Sequence, residues 1–101
     1  MDLYSIIIPR GQNCGLRLGQ TKNDGRILVT NVFSTLEDGT INPLDGRIGI
    51  HDSIVKVNGH TLDGFDSLKY IISMIKIPPD YYPVRIVFQE NSCPDTTDVL
   101  F

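Results

Sequence analysis

Three turn dipeptides, Asp24-Gly25, Asp45-Gly46 and Asn58-Gly59, divide this chain into short apolar runs. Asp-Gly and Asn-Gly pairs tolerate the positive φ that tight reversals need. The runs between them are rich in β-branched and aromatic residues: Leu3 to Ile8 closed by Pro9, Gly15 to Thr21, Arg26 to Phe33, Ser53 to Val57 and Tyr82 to Phe88. Each reads as a strand. Pro83 is acceptable at a strand's beginning or on an edge. Ser34 to Asn42 holds turn formers and room for one helical turn, stopped by Pro43.

One segment breaks the pattern. Asp66 to Ile75 places Leu68, Ile71, Ile72 and Ile75 at helical spacing. Asp66 is a suitable N-cap, Lys76 suits the C-terminal dipole end, and Pro78-Pro79 forbid continuation. Ser67, Ile71 and Met74 share one face of this helix, and Leu68, Ile72 and Ile75 an adjacent one. The sum is an α+β domain: a small, β-rich, partly open barrel or sandwich of five to six strands with one long and one short helix. Strands this few leave sheet edges, and a groove between the helix and an exposed edge is expected.

Composition narrows the function. A chain of 101 residues fits one domain, and 41% hydrophobic residues suffice for a modest core. The net charge of -3 lacks the basic footprint of a nucleic-acid binder. Lys22, Arg26 and Lys69 are too scattered for a polybasic lipid patch. No apolar run reaches the ~18 residues of a membrane span, and Met1 to Tyr4 lacks the basic start of a secretory signal. Cys14 and Cys93 read as reduced thiols, and no Cys/His spacing suits a metal. No cofactor is expected. G-x-S-x-G, H-E-x-x-H and phosphate-loop patterns are missing from the sequence, so no independent enzyme is expected.

The richest segment is Arg10-Gly11-Gln12-Asn13-Cys14-Gly15-Leu16-Arg17-Leu18. It is a glycine-punctuated loop running into a strand. Such a turn can present backbone N–H groups to an anion with a cation nearby. Leu16 and Leu18, two apart, point to one side. An anion nest beside an apolar hole is what a peptide's free C-terminus requires.

From Leu3 to Gln89 the chain resembles a PDZ domain. Three pieces match in order. Arg10-Gly11 followed by Gly15-Leu16-Arg17-Leu18 is similar to the family's basic residue and glycine-leucine-glycine-phenylalanine loop. Gly39 to Gly59, with Asp45-Gly46-Arg47-Ile48 and then Asp52-Ser53-Ile54-Val55-Lys56-Val57-Asn58-Gly59, is similar to the small-helix and D-G-R-L, G-D-x-I-L-x-V-N-G run of discs-large and other cell-polarity scaffolds. The capped helix before a closing strand completes the order. Arg17 stands where the family usually has a second glycine; it should point away from the leucines and favour acidic ligands. His51 replaces the usual glycine before Asp52. Histidine is among the residues found at positive φ, which is the plain explanation; a pH-sensitive role is the other.

The resemblance implies a mechanism. PDZ domains add a C-terminal peptide as a strand to a sheet edge. The N–H groups of Leu16, Arg17 and Leu18 would hold the carboxylate, flanked by Gly15 and Gly19, with Arg10 in support. Leu16, Leu18, Ile71 and Met74 would line the hole for the last side chain, with plain core as the lesser alternative for Ile71 and Met74. Ser67 takes the place of the histidine used by domains that select serine or threonine two residues before the ligand's end. Gln20 would face the same subsite. The partners implied are C-terminal tails of membrane or signalling proteins ending in an apolar residue, met in the cytoplasm near the membrane cortex or cell junctions. The scaffold or adaptor module has two rival readings, a regulatory domain of a multidomain enzyme and a self-associating module that uses its own C-terminal tail.

The domain is expected over 1–89, followed by a polar, turn-prone tail over 90–101 that ends Val99-Leu100-Phe101. Those three residues form an apolar-x-apolar terminus of the kind the groove would bind. They are expected to dock into the groove of the same or a neighbouring molecule, giving self-association in the second case. A frayed terminus is the plain alternative.

Overall fold

The structure, a computed structural model, describes residues 3–22, 24–62, 67–76, 79–90 and 99–100. Among these, seven strands and one helix occur, in the order β1 (Leu3–Ile8), β2 (Leu16–Thr21), β3 (Ile27–Val32), β4 (Ser53–Val57), β5 (His60–Thr61), α1 (Leu68–Ile75), β6 (Val84–Gln89) and β7 (Val99–Leu100). The strands pair in the order β1-β6-β4-β3-β2-β7, with β5 added to β4, and every pairing is antiparallel.

Alternation builds the core. In β1, Ile6 and Ile8 point inward while Leu3, Ser5 and Ile7 point out. β2 contributes Leu16 and Leu18, and β6 contributes Val84, Ile86 and Phe88. Phe88 is fully buried and stacks on Tyr4 at 5.2 Å between ring centroids. Ile71 and Ile75, one helical turn apart, press α1 onto this layer. Each fully buried side chain of this size contributes about 1.5–3 kcal/mol. The helix thus inserts a different pair from the expected stripe: Ile71 and Ile75 are buried, and Leu68, Ile72 and Met74 pack beside them half-buried.

The Asp24-Gly25 turn is tied by its own residues. The Thr21 N–H donates to the Arg26 carbonyl at 2.9 Å, the Thr21 hydroxyl to the Asp24 carboxylate, and Arg26 Nε lies 2.8 Å from Asp24 Oδ2. His51 has φ 71° and Asn58 φ 50°, so His51 does occupy a left-handed position.

Two expected features differ. In place of the helical turn expected within Ser34 to Asn42, Thr35 and Ile41 form an isolated antiparallel bridge, and turns follow in which Asp45 N–H donates to Asn42 O and Arg47 N–H to Leu44 O, at 3.1 and 3.0 Å. Pro43 supplies no N–H there, and Gly46 at φ +83° turns the chain out of any helical path. The helix begins at Leu68 with Ser67 as its cap; Asp66 lies outside the described residues. The β5 strand, His60–Thr61, carries no sequence pattern of its own and follows from the Asn58-Gly59 reversal.

Candidate functional site

The site is built around the loop from Pro9 to Gly15. Its base is fastened to the far end of α1: Gly11 N–H donates to Pro79 O at 3.1 Å and Cys14 N–H to Lys76 O at 3.4 Å. Inside the loop, Gln12 N–H returns to Pro9 O and Gly15 N–H to Asn13 Oδ1. The other wall is fastened by Asn42, which sequence reasoning did not single out. This side chain is 2% exposed. Its Nδ2 donates to the carbonyls of Phe33, Cys14 and Gly15 at 2.9, 3.2 and 3.4 Å, and its Oδ1 accepts from Leu44 N–H at 3.0 Å. The last contact is the short Asn-to-i+2 turn that an Asn-Pro pair favours, and it is the one sequence signal that pointed here.

Gly15 has no substitute at this point. Its φ is +64°, and a Cβ would lie 2.5 Å from Asn42 Nδ2 and 2.9 Å from Leu36 Cδ2. Cys14 is buried in the core, and burial pushes its thiol pKa up, opposed by the neighbouring Leu16 N–H. Cys93 lies outside the described residues.

Beyond the loop, β2 has two edges. Phe33 N–H donates to Gly15 O and Thr21 N–H to Arg26 O, both on the β3 side. Main-chain groups of successive strand residues alternate in direction. Gln20, next to Thr21, therefore turns its main-chain groups to the opposite edge, where it pairs with Leu100. The Thr30 hydroxyl donates to Arg17 O at 3.2 Å, and the β2–β3 register shifts between Arg17 and Leu18.

The side chains divide the other way. Leu16 and Leu18 are buried toward α1, while Arg17 is exposed, its guanidinium 5.7 Å from the Phe33 ring centroid. Arg10 is exposed, and among the described residues no ion pair or hydrogen bond anchors its side chain. Gln20 is half-buried, and its Nε2 donates to Gly25 O at 3.0 Å. Ser67 Oγ accepts the Tyr70 N–H at 3.1 Å as the helix cap. Met74 is half-buried against the core.

A cavity of about 390 Å³ opens against the loop, lined by Gly15, Leu16, Phe33, Leu36, Glu37 and Lys76. Of the four side chains expected around the apolar hole it includes Leu16 alone. Leu18 and Ile71 are buried in the core instead.

The open edge of β2 carries a strand. Gln20 pairs with Leu100 and Thr21 with Val99, antiparallel. Phe101, the third residue of the expected internal ligand, lies outside the described residues.

No protein-family model matches the chain. No curated protein matches it either. Solved structures do. The second PDZ domain of Dlg1 from the choanoflagellate Monosiga brevicollis is 18% identical, with a TM-score of 0.65, over 89% of this chain and all of that one. A choanoflagellate GIPC PDZ domain is 14% identical, with a TM-score of 0.67. Bound to a GAIP peptide, it aligns over 95% of this chain and 98% of that one. Bound to a B1AR peptide, it aligns over 96% and 99%. With the Gly15-to-Leu18 loop, the β2 edge that β7 joins and α1 packed on β2, the chain has the PDZ fold.

Proposed function

We propose that this chain is a protein-interaction module that binds C-terminal peptides by strand addition to β2. One observation carries the reading: the β2 edge beside α1 already accepts an antiparallel strand at Gln20 and Thr21. A strand seated there gains main-chain hydrogen bonds whatever its sequence. A ligand's last residues would run toward the loop, where the amides of Leu16, Arg17 and Leu18 are the groups expected at its carboxylate. Gly15 and the Asn42 clamp hold that end of β2 in place before any ligand arrives. The solved GIPC domain, which shares the fold, is bound to peptides.

The preferred ligands are tails of membrane or signalling proteins with an apolar last residue, which would meet the module in the cytoplasm as part of a scaffold. A few captured residues bury little area, so affinity is modest and reversible, as suits several modules acting together. The test is an array of C-terminal peptides, each synthesised as free acid and as amide. Free acids should bind at least about tenfold more tightly, because charge-assisted hydrogen bonds are the stronger kind. Equal binding of the two forms across the array would sink the carboxylate mechanism.

A further inference from the structure

We propose that Val99–Leu100 is the groove's resident ligand, a segment of the same chain that an incoming peptide must displace. The proposal rests on the peptide-groove reading above and adds a partner and a threshold to it.

Position comes first. Of the two edges of β2, one is taken by β3 along Leu16 to Gln20, and β7 sits on the other. Thr21 N–H is bound to Arg26 O on the β3 side, so by alternation the main-chain groups of Gln20 point at β7. These are groups an added strand needs.

Direction comes second. Passing from Val99 to Leu100 moves the pairing from Thr21 to Gln20, toward Leu18 and the Gly15 loop. A peptide whose carboxylate is to reach that loop must travel the same way. A segment running in the opposite sense would pair with the edge without imitating a C-terminal ligand. This one imitates it, with apolar residues.

Extent comes third. β7 has two paired residues, against six in β2. So short a ladder holds weakly by itself, and its advantage is attachment. A tethered segment acts at an effective concentration of about 1 mM. If its intrinsic dissociation constant is about 100 μM, roughly nine molecules in ten are closed, and an outside peptide binds about tenfold more weakly than to the open edge. The groove then ignores weak ligands and admits those that outcompete its own chain.

The experiment uses the full chain and the double variant Val99→Pro/Leu100→Pro, which removes both N–H donors of β7. Two readouts are taken on each protein. One is hydrogen exchange at the Gln20 amide; the other is affinity for a labelled free-acid octapeptide with the sequence of residues 94–101. The expected result is exchange at Gln20 at least about tenfold faster in the variant, with the octapeptide bound about tenfold more tightly. If both proteins bind the octapeptide equally, the groove reading stands and the resident ligand is overturned. If neither binds it but Gln20 still loses protection in the variant, β7 is a structural strand; the groove reading fails for this ligand, and competition with it. If the difference between the two proteins grows with protein concentration, the occupant comes from a second copy, and the same-chain assignment is overturned.

Discussion

Asn42 Nδ2 lies 3.2 Å from the carbonyl oxygen of Cys14, twenty-eight residues away in sequence, and this contact joins the Pro9-to-Gly15 loop to the turn after β3. The same nitrogen serves Gly15 and Phe33, so one buried amide ties the end of the loop to the end of β3.

Replacing Asn42 with Ala should therefore act on both stability and binding. It leaves buried carbonyls short of a donor, at about 1–3 kcal/mol, read as a lower midpoint in urea unfolding. Asn42→Asp is the sharper variant. It keeps the acceptor for Leu44 N–H but sets a carboxylate against three carbonyls, so it should be no more stable than Asn42→Ala. Where the folded variants are compared, affinity for free-acid peptides should fall while affinity for the amidated forms stays level. A uniform loss for both forms would assign Asn42 to stability alone.

Gly15→Ala tests the other side of the same contact. The added methyl meets Asn42 Nδ2 at 2.5 Å, on a backbone at φ +64° that alanine resists. The backbone cost alone is about 1 kcal/mol or more. Part of the steric cost vanishes when Asn42 is truncated. The double variant Gly15→Ala/Asn42→Ala should thus be less destabilised than the two single losses added together, by about 0.5–3 kcal/mol in a double-mutant cycle. Strict additivity would mean the two residues do not touch in solution.

How far the site could be read in advance depended on whether its causes were local. Turn dipeptides, alternating strands and the helical spacing of Ile71 and Ile75 are local, and they placed β1 to β4, α1 and β6 within a residue or two. His51 was legible for the same reason, because positive φ is a property of one residue. The helix cap was not. Asp66 and Ser67 are both good caps, and the choice of Ser67 depends on where the chain enters the helix, which neighbours decide. The cavity beside the loop was not legible from the residues expected to line a hole there, of which it includes Leu16 alone. Leu18 and Ile71 sit in the core, while the cavity is walled by Phe33, Leu36 and Lys76, residues brought to the loop by long-range pairing. Asn42 lay hidden among turn formers because its partners are distant carbonyls.

Arg17 should govern selectivity more than stability. It is exposed over Phe33, on the side of β2 turned away from the helix. Side chains of an added strand alternate, so those not facing α1 extend over this surface. Arg17→Ala should change folding stability by no more than about 1 kcal/mol. It should weaken binding of peptides with an acidic residue next to the last position by a few-fold at low salt, with the difference shrinking as salt screens the charge. Fluorescence anisotropy at two ionic strengths decides it. Equal losses for acidic and neutral peptides would assign Arg17 to the backbone path instead.

Alkaline pH should weaken the fold in two separable steps. Burial raises the Cys14 thiol above its ordinary value of 9.0. Burial also raises the Tyr4 phenol above 10.0, and its hydrogen bond to the Asp52 carboxylate adds to that. A raised folded value means the native state holds its proton where the unfolded chain has released it. The stabilisation is complete below the ordinary value and is lost as pH climbs toward the raised one. Unfolding free energy should be flat near pH 8, then fall from about pH 9 with a slope of at most about 1.4 kcal/mol per unit for one proton. Cys14→Val removes a titrating group of similar size and should flatten the part that begins near 9.0. Tyr4→Phe should leave that part in place and flatten what begins above 10.0. Urea melts of the three proteins between pH 7 and 11 separate the two contributions. A slope unchanged by Cys14→Val would show that this thiol titrates no differently in the folded and unfolded chain.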